Sequence, residues 1–168
     1  MTSFRKIISV VFLLLACLSC QSRKEPIAQL KEQLCRDSVT LSKIEQQYPE
    51  SIRTNFEWCD SMLQYIPQEQ INDYFETLNL AQAYLNQFDE MLPVMKRDLS
   101  YSRQQLTYLQ HDLDTHYVED SLAQAYIADE TAVVDTLHYR IIYFQDRLSK
   151  QDQELKALRK TLSKAVSK

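Results

Sequence analysis

From Ile71 the chain sets Leu78, Leu85, Leu92, Leu99, Leu106 and Leu113 at strict intervals of seven. A strand repeats its faces every two residues, so an odd interval of seven alternates sides, whereas two turns of α-helix return each seventh residue to one stripe. Three places on from each lie Tyr74, Ala81, Phe88, Met95, Ser102, Leu109 and His116. Two apolar lines at that offset are the seam of helices packed as coiled coils, and Ser102 and His116 are its polar exceptions. The spacing therefore predicts one long helix of about 45 residues, about 65–70 Å at 1.5 Å per residue. Pro67 suits its first turn, where a missing N–H removes no bond. Pro93 falls inside, where the ring should kink the helix, yet the leucine phase runs unbroken from Leu85 through Leu92 to Leu99, so a kink is expected and not a loop.

A second pattern of similar length starts near Glu119 and is clearest through Leu137, Ile141, Phe144, Leu148, Leu155, Leu158 and Leu162, with Gln151 and Ala165 in the seam. The segment from His111 to Ser121 between them is Asp-rich, with capping residues at Asp120 and Ser121, which joins two equal helices as an antiparallel hairpin. Charge agrees with that pairing. Seven acids and no Lys or Arg lie between Arg53 and Lys96, while residues 147–168 hold seven bases and two acids. An antiparallel hairpin brings those stretches together, although opposite helix dipoles account for part of the same pattern.

Upstream, Ile27, Leu30, Leu34, Leu41, Ile44 and Tyr48 form a shorter stripe, and Ile52, Phe56, Cys59, Leu63 and Ile66 another. Pro49 between them fits either a tight turn or a kink. Straightened, residues 26–66 complete a three-helix bundle with an outline resembling a spectrin repeat. Folded back, they form a short hairpin that sets Cys35 against Cys59, a disulfide that export would permit. The expected fold is all-α: an elongated antiparallel helical bundle with a coiled-coil hairpin of two long helices over 68–166, plus one kinked or two short N-terminal helices over 26–66.

Composition removes several functions. A chain of 168 residues without one glycine has no Gly-built phosphate loop, and a net charge of −4 leaves no footprint for nucleic acid. Cys-x-x-Cys, Gly-x-Ser-x-Gly and His-Glu-x-x-His motifs are absent, and nothing calls for a cofactor.

The N-terminus reads as an address. Arg5 and Lys6 precede an apolar run from Ile7 to Ala16, too short to span a bilayer as a mature helix, and polarity returns at Gln21. The end of that run, Leu14-Leu15-Ala16-Cys17, resembles the lipobox of bacterial lipoproteins, in which diacylglycerol is attached to the cysteine and cleavage falls just before it. The resemblance covers about a tenth of the chain. It implies signal peptide 1–16, membrane tether 17–25 and a single helical domain over 26–168, with Cys17 lipidated and Cys20 as the alternative acceptor. An ordinary cleaved signal or a short anchor helix is the plainer reading. Within the lipoprotein family, Asp after the lipidated Cys signals inner-membrane retention; here that residue is Leu18 or Gln21, which points to the outer membrane.

Two features of the hairpin tip bear on function. Tyr101, Tyr108, Tyr117, Tyr126, Tyr139 and Tyr143 gather in its half of the helices, and seven acids with no Lys or Arg lie between Arg103 and Arg140. Tyrosine offers large contact area with a polar end, so Tyr108, Asp112, Asp114, Tyr117, Glu119 and Asp120 are the candidate partner-binding residues. Core-edge packing and simple solvation account for the same residues without a partner. His111 and His116 are weak metal candidates, being five apart and off a common helical face, and Asp135 precedes His138 by three; no Glu-x-x-His pair of a di-iron bundle occurs. The expected function is a non-enzymatic, membrane-tethered adaptor or assembly subunit with a protein partner in the cell envelope. The alternatives are a hydrophobic ligand or client-binding module, and a metal protein at the tip; homo-oligomer formation through the leucine seam is compatible with each.

Overall fold

The computed structural model describes the backbone of residues 2–166 and the side chains of residues 25–166 except 70, 73 and 120. Residues 1–16, expected as a signal peptide, and the candidate lipidation residues Cys17 and Cys20 lie outside the described side chains, as does Asp120. Among the described residues all regular structure is helical: α1 (Thr2–Gln47), α2 (Pro49–Met62), a 3-10 turn (Leu63–Tyr65), α3 (Gln68–Asp114) and α4 (Asp120–Val166). Pro93 lies on the exposed side of α3, which runs through it without a loop. Its pyrrolidine removes one backbone bond from a helix that many buried residues hold in place.

The chain divides into two compact units. One comprises Met1–Cys35 with Ser100–Asp135, the other Arg36–Leu99 with Thr136–Lys168. In the second unit the helical segments meet along their apolar seams. Leu41, Ile44, Ile52, Cys59, Leu78, Ala81, Phe88, Met95, Leu137, Ile141, Phe144, Leu148 and Leu155 are all buried there. Phe88 and Phe144 contact edge to face, centroids 5.4 Å apart, a geometry worth about 0.5–1.5 kcal/mol beyond the buried area.

Pairwise contacts give the directions. Lys96 reaches Glu45 and Arg53 reaches Asp89, so numbers rise along α1–α2 as they fall along α3. Arg140 reaches Asp98, which runs α4 antiparallel to α3, while Ser51 reaches Asp152 and Arg159 reaches Asn55, which runs α4 parallel to α1–α2. These surface ion pairs report register more than stability, since exposed pairs contribute about 0–1 kcal/mol.

The same contacts decide what happens at Pro49. Tyr48 keeps near-helical torsions of −100° and −47°; its N–H donates to the Ile44 carbonyl at 3.2 Å, and its own carbonyl accepts from Ile52 N–H at 2.9 Å. The helical bonding carries across the junction, so the chain is kinked there and does not fold back. The reversal on which a Cys35–Cys59 bridge depends is missing, and both thiols are free, Cys35 exposed and Cys59 buried. Burial pushes the Cys59 thiol up to about 11, against the opposing pull of the Arg159 charge.

In the first unit Ile27, Leu30, Leu34, Leu106, Leu109, Ala123 and Val134 are buried. Lys31 Nζ donates to Gln110 Oε1, and Arg103 Nη2 donates to the Leu34 carbonyl at 3.2 Å, so α1 runs antiparallel to α3 here as well.

Candidate functional site

The α3–α4 connection is a built structure. Tyr117 N–H donates to the Asp112 carbonyl at 2.9 Å, and His116 N–H to the Leu113 carbonyl at 3.3 Å, the paired bonds of a Schellman cap. That cap needs one residue in the left-handed region, and His116 takes it with φ of 55°. A Cβ there costs about 1 kcal/mol relative to glycine, which this chain never uses. The His116 ring lies back over the same turn, with Nδ1 3.2 Å from the Leu113 carbonyl. Glu119 then accepts the first helical bond of α4 from Ala123 N–H at 2.9 Å.

This cap throws the next side chain outward. Tyr117 is 84% exposed, and Tyr108, Leu122 and Tyr126 are exposed with it. Of the candidate binding residues, Asp114 and Glu119 are exposed and Asp112 is half-buried. On α3, Gln104 Nε2 donates to the Tyr108 hydroxyl at 2.7 Å, one turn away. Of the unit's described cations, Lys31 engages Gln110 and Arg103 engages a backbone carbonyl. Half-burial and the neighbouring Asp129 charge raise the Glu130 carboxyl above the ordinary range. The tip thus carries rings and carboxylates on a rigid turn.

Its place along the helix matters equally. Asp114 lies four residues beyond Gln110 on α3, and Ile27 four residues before Lys31 on antiparallel α1, so both moves carry about 6 Å the same way. The tip therefore lies level with the part of α1 near Glu25 to Ile27.

Among the described residues no group of three or more His, Cys, Asp or Glu side chains is placed to hold a metal ion. His111 and His116 are exposed, one in the last turn of α3 and the other in its cap. His138 is not paired with Asp135 three residues before it: its Nδ1 lies 2.7 Å from Oδ1 of Asp37, which is 2% exposed.

Asp37 belongs to a set of polar seam residues in the second unit that heptad reading passes over. Ser51 Oγ donates to Asp152 Oδ1 at 2.6 Å, Lys156 Nζ donates to the other carboxylate oxygen at 2.7 Å, and Asn55 Nδ2 donates to the Ser51 carbonyl at 2.8 Å. Arg159 closes the layer, donating to Asn55 Oδ1 at 3.1 Å with its guanidinium carbon 4.8 Å from the Trp58 ring centre. Buried polar layers of this kind penalise slipped registers, because a shift leaves each group without its partner.

The basic stretch of α4 meets rings as well as acids. Arg147 sits 5.5 Å from the Tyr84 ring and 5.4 Å from that of Tyr143. A cleft of about 250 Å³ opens beside Phe56 and Leu85, with Arg53 and Asp89 in its lining. Small-molecule sites run about 300–1,000 Å³, so this cleft is small for a ligand or client. No described helix is long and apolar enough to cross a membrane. Set beside known protein families, curated proteins and solved structures, the chain matches none.

Proposed function

We propose that this chain is a lipid-anchored helical protein of the bacterial cell envelope, acting without catalysis as an adaptor or assembly subunit whose binding face is the α3–α4 tip. One observation carries the reading: Tyr117, 84% exposed, is held out by a strained cap among carboxylates. Binding surfaces favour aromatic anchors, and the cap that holds this ring out costs energy to keep.

In this reading α3 and α4 form an elongated antiparallel coiled-coil hairpin, with α1 and α2 as a kinked third helix. The buried heptad positions and the antiparallel Asp98–Arg140 and Phe88–Phe144 contacts support it. The lipobox-like Leu14-Leu15-Ala16-Cys17 supports the anchor, and the residue after either candidate cysteine supports the outer membrane.

Two measurements test this. Cys17→Ser should abolish incorporation of labelled palmitate while Cys20→Ser leaves it intact; labelling that survives both together contradicts the anchor. Affinity purification from crosslinked membranes should recover one recurrent envelope protein with the tethered form and lose it on Tyr117→Ser. A broad mixture unaffected by Tyr117→Ser contradicts the adaptor.

A further inference from the structure

The tip's exposed side chains and its place in the fold constrain what can bind there. Tyr117, Leu122 and Tyr126 offer apolar area to solvent, and the last two lie one turn apart on one face of α4. Near them in sequence are the exposed Glu119 and the half-buried Asp112, with Asp114 already in contact within the fold, and no Lys or Arg occurs between Arg103 and Arg140. Carboxylates in that number repel lipid phosphates and attract Lys and Arg, while tyrosine faces accept guanidinium and aliphatic groups alike.

Position supplies the second constraint. The tip is level with Glu25 to Ile27 by the Lys31–Gln110 and Arg103–Leu34 register. If Cys17 is the lipidated residue, only Leu18 to Lys24 separate it from Glu25, a reach of at most about 29 Å even fully extended. The tip is then held close to the bilayer surface.

We propose that the occupant of the tip is a basic segment of an integral membrane protein lying directly against the bilayer, and not a partner reaching in from across the envelope. This inference rests on the lipid-anchor reading above. Lys and Arg of that segment meet the tip carboxylates, and its apolar residues cover Tyr117, Leu122 and Tyr126. Holding both chains at one surface raises their effective concentration, so a modest contact suffices for stable association.

The test uses the full lipidated chain in phosphatidylcholine vesicles, with a photoreactive phenylalanine replacing Tyr117. The probe is a single-span helix whose exposed flank carries about six Lys and Arg interspersed with Leu, placed either at the bilayer or beyond a helical spacer of about 60 Å, or about 40 residues. The surface-placed flank should be captured at least tenfold more than the spaced one. Substituting D112N, D114N, E119Q and D120N together should lower that capture at least fivefold without changing helicity. Equal capture with the spacer, adducts on lipid alone, or no adduct from protein that floats with the vesicles overturns the inference and leaves the anchor standing. Protein that fails to float overturns the anchor and this inference with it.

Discussion

The two compact units are built on the same heptad principle but place their polar side chains differently. In the unit of Arg36–Leu99 with Thr136–Lys168, Asp37, Asn55 and Asp152 sit in the seam and find partners across it, and Arg147 and Arg159 lie over rings. In the unit of Met1–Cys35 with Ser100–Asp135, the described cations make local helix-to-helix bonds, while Tyr101, Tyr108, Tyr117, Leu122 and Tyr126 face solvent. Exposed rings occur in the larger unit too, Tyr139 at 73% and Tyr65 at 61%, but none of them is as open as Tyr117 at 84%. Buried polar residues whose partners lie across a seam penalise slipped registers.

The largest break in this comparison should come from Phe88→Ala, which empties a fully buried site against Phe144 and should cost about 3–5 kcal/mol by chemical denaturation. Tyr117→Ala in the other unit should stay within about 0.5 kcal/mol of the parent. Next, Asp37→Ala leaves the His138 ring nitrogen without its partner and should cost about 1–3 kcal/mol. His116→Gly should work in the opposite direction, stabilising the chain by about 0.5–1 kcal/mol, since glycine takes the left-handed cap freely. A gain of stability with loss of partner recovery would tie the strained cap to binding.

The thiols sharpen the contrast most gently. Cys35 should react with a thiol reagent in the native state and Cys59 only after unfolding. Because the folded state holds the Cys59 proton more tightly than the unfolded chain, native stability should decline as pH rises from the ordinary thiol range near 9 toward about 11. Cys59→Ala should remove that part of the slope; a slope unchanged by the substitution would show that burial does not govern this thiol.

Much of the helical layout was legible in the residues. The leucine interval fixed α3 close to its observed limits and carried it through Pro93, because seven-residue periodicity reports the helix phase on both sides of a break. Pro49 was not decidable from the residues: proline at a first helical position suits a turn and a kink equally, and it is the backbone bonds of Tyr48, with the distant pairs Glu45–Lys96 and Arg53–Asp89, that choose between them. Asp37 was missed although its spacing was visible, three after Leu34 and four before Leu41, since a search for apolar stripes discards a carboxylate. Its partner lies 101 residues away. At the tip the acids and tyrosines were legible, but not the Schellman cap, because the glycine that would signal it is replaced by His116. Nor did spacing alone reveal that the tip stands level with Glu25 to Ile27 of α1.

That last placement is the center of the functional account, and a distance measures it directly. Spin labels at Ala28→Cys and His111→Cys, with Cys35→Ser, should give a single separation of roughly 15–25 Å, from packed helix axes 8–10 Å apart plus label length. A principal separation above about 40 Å would place the tip away from the anchored end and contradict the account.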